Sequence, residues 1–199
     1  MSVEIHPRKI RGKWADGYAL DLHTTSSTFL GYDGYGHPQF ETVRSELGEL
    51  LYKLKYRADP SAVDSIAETA TEFLKEKWRI EVDLIVPVPP SDRSRKRQPV
   101  LEVATAISDR TGIELCLDGV VKVKQTQQLK NVFDFKERVA ALEDAFTVEK
   151  AKIQGKRVLL FDDLFRSGAT MNTISECLIT DCGAQVVCAL TLTRTRSSL

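Results

Sequence analysis

The sequence has little of what marks polyanion-binding and membrane-spanning proteins. It contains 28 basic and 28 acidic residues, so its formal net charge is zero. Whole-protein binders of nucleic acid usually carry an excess of basic residues, so any phosphate must bind at a local site. Its apolar runs, such as residues 84–88, are far shorter than the roughly 20 residues of a membrane-spanning helix. The N-terminus lacks the apolar stretch of a secretory signal, and we expect a cytoplasmic protein with no membrane partner.

Cysteine and histidine are also scarce. None of the four cysteines forms a Cys-x-x-Cys pair, which argues against a zinc ribbon, and we interpret them as buried core residues. The three histidines all lie in the first 37 residues, in a pattern that does not predict a metal site. They are His6, His23 and His37. A histidine base for chemistry in the second half of the chain would have to fold back from this N-terminal stretch.

The 199 residues, 42% of them apolar, fit one compact domain, with or without an added subdomain. Residues 18–23 and 27–32 predict N-terminal strands, and apolar stripes over 43–54 and 63–78 predict two helices. From Asp83 onward, short apolar strands alternate with helices, which predicts βαβ units and a parallel sheet. The predicted strands cover 84–88, 120–123, 158–161 and 186–192, and the predicted helices cover 100–107, 137–142 and 171–181.

One stretch indicates a specific chemistry. A buried strand runs into Asp162 and Asp163, and ligands bind at such carboxyl ends in open α/β sheets. A loop of small residues then leads into a helix, where free backbone N–H groups and the helix dipole favour phosphate. It consists of Arg166, Ser167, Gly168, Ala169 and Thr170. The pattern predicts a pocket for a sugar 5-phosphate. A Walker B strand is disfavoured because the sequence contains no P-loop motif. Two alternatives remain: a pair of phosphotransfer aspartates, and a capped helix that follows two solvated carboxylates.

This stretch, residues 158–170, resembles the phosphoribosyl-pyrophosphate (PRPP) motif of type I phosphoribosyltransferases. The chain is more narrowly similar to the ComF-like branch, without its N-terminal zinc ribbon. Weaker similarities lie in Leu54-Lys-Tyr-Arg, in 85–97, in 124–128, in Glu137-Arg138 and in Ala145-Phe146. The resemblance spans residues 47–193. Phe165, Arg166 and Ala141 depart from the family pattern.

The resemblance implies an α/β fold: a parallel-sheet core over 46–199 with helices on both faces, and an N-terminal β-hairpin and helical hood over 1–45. It implies a Mg²⁺-dependent enzyme of nucleotide metabolism, a glycosyltransferase that moves phosphoribosyl from PRPP to an unidentified nitrogen acceptor and releases pyrophosphate. Asp162 and Asp163 would be catalytic and bind ribose hydroxyls, and the loop 166–170 would bind the 5-phosphate. Mg²⁺ would be held mainly by ligand oxygens and water.

The resemblance also implies a pyrophosphate loop and a flexible loop. The pyrophosphate would bind Pro89, Pro90, Ser91, Arg93, Arg95 and Arg97. Residues 92–97 carry four cations and one carboxylate, so their net charge is 4 − 1 = +3. The flexible loop would include Lys122, Lys124, Gln128 and Lys130.

Two other functions stay open. A non-catalytic PRPP sensor, or an accessory protein of ComF type in DNA uptake or processing, fits the altered loop. A nucleic-acid binder using residues 8–13 and 93–97 is disfavoured by the zero net charge, and a homodimer is left open. We interpret the N-terminal aromatic residues as core of the β-structure rather than as base-stacking residues. They are Trp14, Tyr18, Phe29, Tyr32 and Tyr35.

Overall fold

A mixed α/β architecture is seen in the computed structural model, which describes residues 1–57, 59–90, 92, 97–123 and 145–196. The elements are β1 (Arg8–Lys9), β2 (Asp16–Leu22), β3 (Thr24–Tyr32), β4 (Pro38–Arg44), α1 (Glu46–Tyr56), α2 (Ser61–Glu72), a π-helical segment (Phe73–Trp78), β5 (Leu84–Pro87), α3 (Pro99–Thr111), β6 (Glu114–Leu115), β7 (Val120–Lys122), β8 (Phe146–Val148), α4 (Lys150–Ile153), β9 (Arg157–Phe165), α5 (Ala169–Thr180) and β10 (Val186–Arg194). None of the described helices is long and apolar enough to cross a membrane.

Six of the described strands form the central sheet, in the order β1-β2-β10-β9-β5-β6. All neighbouring pairs are parallel except β1 and β2. The predicted parallel sheet is therefore confirmed, but the strand predicted at 120–123 lies outside it, because β7 pairs antiparallel with β8 in a separate two-stranded sheet. The N-terminal strand β2 is one of its members, because it pairs with the last strand, β10. A domain boundary between residues 45 and 46 stays a prediction.

Helices cover both faces of this sheet, as expected. One face packs against α1, α2 and α3 through residues such as Leu51, Ile66 and Ile107. The other face packs against α5 through Met171 and Ile174. All five parallel strands end at the same edge, so side chains from distant parts of the chain meet there.

Helix α1 begins later than the apolar stripe predicted. Val43, the first residue of that stripe, lies in β4 with half of its surface exposed. The helix starts after Ser45, whose hydroxyl accepts the N–H of Gly48 and donates to the carbonyl of Leu22. Ser45 is thus an N-cap that also joins α1 to the end of β2.

The β3–β4 hairpin lies outside the central sheet. Trp14 is buried and Tyr18 packs against Phe73 and Trp78, as expected for core residues. The interpretation was wrong for the other three N-terminal aromatic residues, which are exposed because the described residues place no second layer over the hairpin. They are Phe29, Tyr32 and Tyr35.

Candidate functional site

The predicted carboxylates lie at the carboxyl edge of the central sheet. Strand β9 does not end at Phe161 as predicted but continues to Phe165, so Asp162 and Asp163 lie within it. The N–H of Val88, just after β5, donates to the carbonyl of Phe161 at 2.8 Å. This bond brings Val88, the residue before the predicted pyrophosphate loop, beside the residue that precedes the two carboxylates.

Asp163 is held by an ion pair with α1. Because side chains alternate along a strand, Asp163 lies on the same face of the sheet as Phe161, the face that α1 covers. Lys55, in the last turn of α1, places its Nζ 2.6 Å from Oδ2 of Asp163, and these side chains are only 18% and 16% exposed. Lys55 belongs to the Leu-Lys-Tyr segment noted in the sequence, but no role for it was predicted.

Asp162 faces the opposite side of the sheet and has a different environment. Its Oδ1 accepts the backbone N–H of Asp163 at 2.8 Å, and it forms no ion pair with a described residue. Burial, and then the neighbouring carboxylate of Asp163, raise the pKa of Asp162 well above its usual range. The two carboxylates are therefore not equivalent: one is paired with a cation and the other favours its neutral form.

The predicted phosphate loop opens α5. Gly168 takes a left-handed conformation (φ 76°), and α5 begins at Ala169. The first helical bond described at this end runs from the N–H of Asn172 to the carbonyl of Gly168, so the N–H groups of 169–171 have no acceptor within the helix. Arg166 is exposed at the start of the loop. The geometry suits an anion at the positive end of the helix.

The base of this loop is supported by the N-terminal segment. A Cβ on Gly168 would lie 2.9 Å from the ring of Phe165, which itself packs edge-on against Trp14. Asn172 accepts the N–H of Lys13 at 2.7 Å and donates to the carbonyl of Gly168 at 2.9 Å. Phe165, a departure from the family pattern, therefore packs beneath the loop.

A histidine reaches the same edge, which the sequence pattern did not reveal. His23 directly follows β2, and its Nδ1 lies 3.2 Å from Oγ1 of Thr193 in β10. Thr193 donates in turn to the carbonyl of Asp163 at 3.2 Å. Burial lowers the pKa of His23, and nearby cations lower it further against the opposing effect of Asp163. These cations are Lys55, Arg44 and Arg166.

Comparison with solved structures identifies this architecture. Adenine phosphoribosyltransferase from Trypanosoma brucei, solved in complex with AMP, pyrophosphate and ribose-5-phosphate, matches with a TM-score of 0.51 at 10% sequence identity. The match covers 96% of this chain and 87% of the trypanosomal one. The chain has the type I phosphoribosyltransferase fold.

Other solved structures match less well. The Saccharomyces cerevisiae adenine phosphoribosyltransferase has a TM-score of 0.49 at 13% identity, with 84% of each chain covered. The glutamine PRPP amidotransferase of B. subtilis has a TM-score of 0.48 at 19% identity, covering 76% of this chain. This chain spans about a third of the amidotransferase's length, 33%. No family model and no curated protein matches the chain, so the ComF-like resemblance stays a prediction.

The remaining site residues that the phosphoribosyltransferase resemblance predicts fall into two groups. Some are described and contact other parts of the fold, and the others lie outside the described residues. Arg97 forms two hydrogen bonds to Glu102 in α3. Pro89 and Pro90 are partly exposed and follow Val88, which bonds to Phe161 of β9. Lys122 lies in β7, where burial lowers its pKa. Outside the described residues lie Ser91, Arg93, Arg95, Lys124, Gln128, Lys130 and the helix predicted at 137–142. Their roles stay predictions.

The other predictions made from the sequence concern metal ligands, the N-terminal basic residues and the cysteines. In the described part of the chain, no group of three or more histidine, cysteine or acidic side chains could hold a metal ion. Lys9 pairs with Asp16 and Lys13 with Glu176, so the N-terminal basic residues are partly neutralised. Three of the cysteines are buried and Cys177 is partly exposed.

We expect Gly48→Ala to displace α1 from the site. A Cβ at Gly48 would lie 2.3 Å from the carbonyl oxygen of His23. Alanine normally stabilises a helix interior by about 1 kcal/mol over glycine, but relieving this overlap requires backbone movement. The expected net result is a loss of about 1–3 kcal/mol in the free energy of unfolding, measured in urea. Gly34→Ala, at an open position in the hairpin loop, should be nearly neutral, and equal effects of the two substitutions would contradict the packing argument.

Proposed function

We propose that the protein is a Mg²⁺-dependent phosphoribosyltransferase that uses PRPP, transfers phosphoribosyl to a nitrogen acceptor and releases pyrophosphate. The observation that carries the proposal is the continuity of Asp162-Asp163 with the helix-opening loop 166–170 at the carboxyl edge of the sheet. A phosphate at the start of α5 would leave the attached ribose beside these carboxylates. The fold supports this function, because the trypanosomal structure that matches it is an adenine phosphoribosyltransferase.

The described residues suit the demands of this reaction. Loss of pyrophosphate from C1 develops positive charge on the ribose, as in glycoside cleavage, so binding and charge stabilisation supply most of the catalysis. Asp163 would accept a ribose hydroxyl through Oδ1, since Lys55 engages Oδ2. Arg166 is exposed beside the N–H groups of α5 and would contact the 5-phosphate.

The carboxylates at this edge fit a metal carried by the ligand rather than a protein cage. Asp163 is engaged by Lys55, and Asp162 bonds to a backbone N–H. Mg²⁺ commonly keeps several waters and binds substrate phosphates through few protein carboxylates. The metal would neutralise charge on the departing pyrophosphate, while the chain's own residues hold the ribose and the 5-phosphate.

Calorimetric titration with Mg-PRPP tests the site. We expect binding to the wild type and at least about a tenfold weaker affinity, or about 1.4 kcal/mol, for Asp162→Asn/Asp163→Asn. The matched control Asp109→Asn/Glu114→Gln removes two exposed carboxylates and should bind as the wild type does. Equal affinities for both double variants, or no binding by the wild type, would overturn the site assignment.

Release of pyrophosphate distinguishes an enzyme from a PRPP sensor of ComF type. The sensor is the second candidate because the phosphate loop departs from the family pattern at Arg166, which is exposed, and at Phe165, which packs beneath the loop. We would supply Mg-PRPP with a panel of purine and pyrimidine bases and measure pyrophosphate. Binding without release from any base would favour the sensor, and release with one base would identify the acceptor.

A further inference from the structure

We propose that Nε2 of His23 accepts the proton that the nitrogen acceptor loses when it attacks C1 of PRPP. The inference rests on the proposed function and assigns the reaction a catalytic base from the N-terminal segment. It also narrows the acceptor to a compound whose attacking nitrogen carries a hydrogen.

The hydrogen bonds around Thr193 favour one tautomer of His23. The hydroxyl of Thr193 has one hydrogen, and it donates this hydrogen to the carbonyl of Asp163, which can only accept. With that hydrogen engaged, the oxygen of Thr193 is left to accept from Nδ1 of His23, 3.2 Å away, so this arrangement favours the tautomer protonated at Nδ1. A neutral imidazole protonated at Nδ1 carries its lone pair on Nε2. His23 thus presents an unprotonated nitrogen, as a base must.

The backbone fixes His23 beside the proposed ribose site. Its N–H donates to the carbonyl of Arg194 at 2.8 Å, at the end of β10. Gly48 allows α1 to pack directly on its carbonyl. Through Thr193, the ring is two hydrogen bonds from the backbone of Asp163. The backbone of His23 is thus held by β10 and α1, and its ring is held by Thr193 of β10, which positions the ring for catalysis rather than leaving it mobile.

The proposed step is balanced in atoms and charge. The acceptor nitrogen forms a bond to C1, and the bond from C1 to the pyrophosphate oxygen breaks, with its electron pair leaving on pyrophosphate. The proton on the acceptor nitrogen moves to Nε2 of His23 and afterwards passes to solvent. General bases of this kind contribute about 10²–10⁴-fold to a rate.

The charges around His23 favour its neutral, unprotonated form at neutral pH. The groups that face it are Lys55 from α1, Arg44 from β4, Asp163 from β9 and Arg166 from the phosphate loop. The cations and burial outweigh Asp163 and lower the pKa of His23, so the ring stays neutral below the pH at which a free histidine becomes protonated. They also favour return of the proton to solvent after each turnover.

The test compares His23→Asn with His37→Asn. The asparagine amide at position 23 can still donate to Thr193 but offers no basic nitrogen, whereas His37 is an exposed residue near the hairpin turn. With Mg-PRPP and the base identified from the panel, we expect kcat of His23→Asn to fall by about 10²-fold or more, with unchanged PRPP affinity by calorimetry. His37→Asn should retain the wild-type rate.

The pH profile separates a base from a structural residue. In the wild type, kcat/KM should fall as the pH drops through the lowered pKa of His23, because protonation removes the lone pair, and this acid limb should be absent from His23→Asn. Nitrogen-15 spectra of the wild type should show a neutral ring protonated at Nδ1. A wild-type rate and acid limb in His23→Asn, or a ring protonated at Nε2, would overturn the inference while leaving the proposed function intact. Absence of pyrophosphate release by the wild type with every base would instead overturn the transferase function, and this inference with it.

Discussion

Asp162→Asn is expected to make the protein more stable than the wild type at pH 8, by at least about 1 kcal/mol. Burial and the adjacent Asp163 raise the pKa of Asp162, and each unit of such a shift corresponds to about 1.4 kcal/mol. Asparagine keeps the oxygen that accepts the N–H of Asp163 but cannot ionise. The substitution therefore removes the cost of ionising a carboxyl that is partly shielded from water and lies beside another carboxylate.

The way in which the contribution of Asp162 to stability changes with pH follows from the number of protons that the folded and unfolded states bind. Between the ordinary pKa of an aspartate and the raised one, the folded protein binds a proton at Asp162 that the unfolded chain does not bind. The contribution of this group to stability is therefore greatest at acid pH and is lost as the pH rises. Urea unfolding at several pH values should show the variant and the wild type converging at about pH 3 and below, where Asp162 is protonated in both states, and diverging as the pH rises above about 4.

An exposed carboxylate provides the control for this measurement. Asp109→Asn on α3 removes one negative charge without relieving burial, so its stability difference from the wild type should stay within about 0.5 kcal/mol at every pH. A variant at position 162 that is less stable than the wild type at pH 8 would contradict the argument. The expected gain in stability comes with loss of PRPP affinity, as is common where a functional group sits in an unfavourable environment.

The central part of the fold, and the place in it of Asp162, Asp163 and the loop 166–170, could be predicted because both rest on local patterns. The apolar run 158–161 identifies a buried strand, and Gly168 with its small neighbours identifies the start of a helix at the carboxyl edge of the sheet. The end of the strand could not be predicted in this way. Residues 162–165 pair with the end of β10 through backbone bonds, and hydrophobic periodicity does not detect pairing between two segments of mixed polarity.

The rest of the site depends on contacts between residues far apart in sequence. His23 and Thr193 are separated by 170 positions, and they meet because β2 pairs with β10 in parallel register. Nothing local to His23 indicates that the N-terminal strand inserts into the sheet. Lys55 is similar: its segment attracted attention through resemblance, but its contact with Asp163 requires α1 to pack on the correct face of β9.

The zero net charge of the chain is compatible with a strongly charged site. Lys55, Arg44 and Arg166 all act on His23, while Asp162 and Asp163 supply the opposite sign. Under the proposed function, this mixture would allow the edge to hold a phosphate and a sugar hydroxyl side by side, because anions would meet the cations and hydroxyls would meet the carboxylates. A uniformly basic surface of the kind that binds nucleic acid would not provide both.

Lys55→Met is expected to lower the free energy of unfolding by about 2–3 kcal/mol, somewhat less than the 3–5 kcal/mol typical of breaking a fully buried ion pair. Methionine retains much of the apolar stem but leaves the carboxylate of Asp163, only 16% exposed, without its cation. The same loss should weaken PRPP binding, because an unpaired Asp163 is free to move away from its position at the ribose. Lys53→Met, on the same helix, should change stability by less than about 0.5 kcal/mol in urea unfolding.

The double variant Lys55→Met/Asp163→Asn decides whether the ion pair or the packing of Lys55 carries this effect. If the cost lies in the uncompensated carboxylate, removing it should restore most of the lost stability, and the two substitutions should be strongly non-additive. If the cost lies in packing, the double variant should be no more stable than Lys55→Met, and the ion pair would have no part in fixing Asp163. Because Asp163 and His23 share Thr193, a restored double variant that binds no PRPP would further separate the stability of this edge from its function. It would show that the ion pair between Lys55 and Asp163 serves to position the carboxylate for PRPP, and that the protein folds equally well without these two charges.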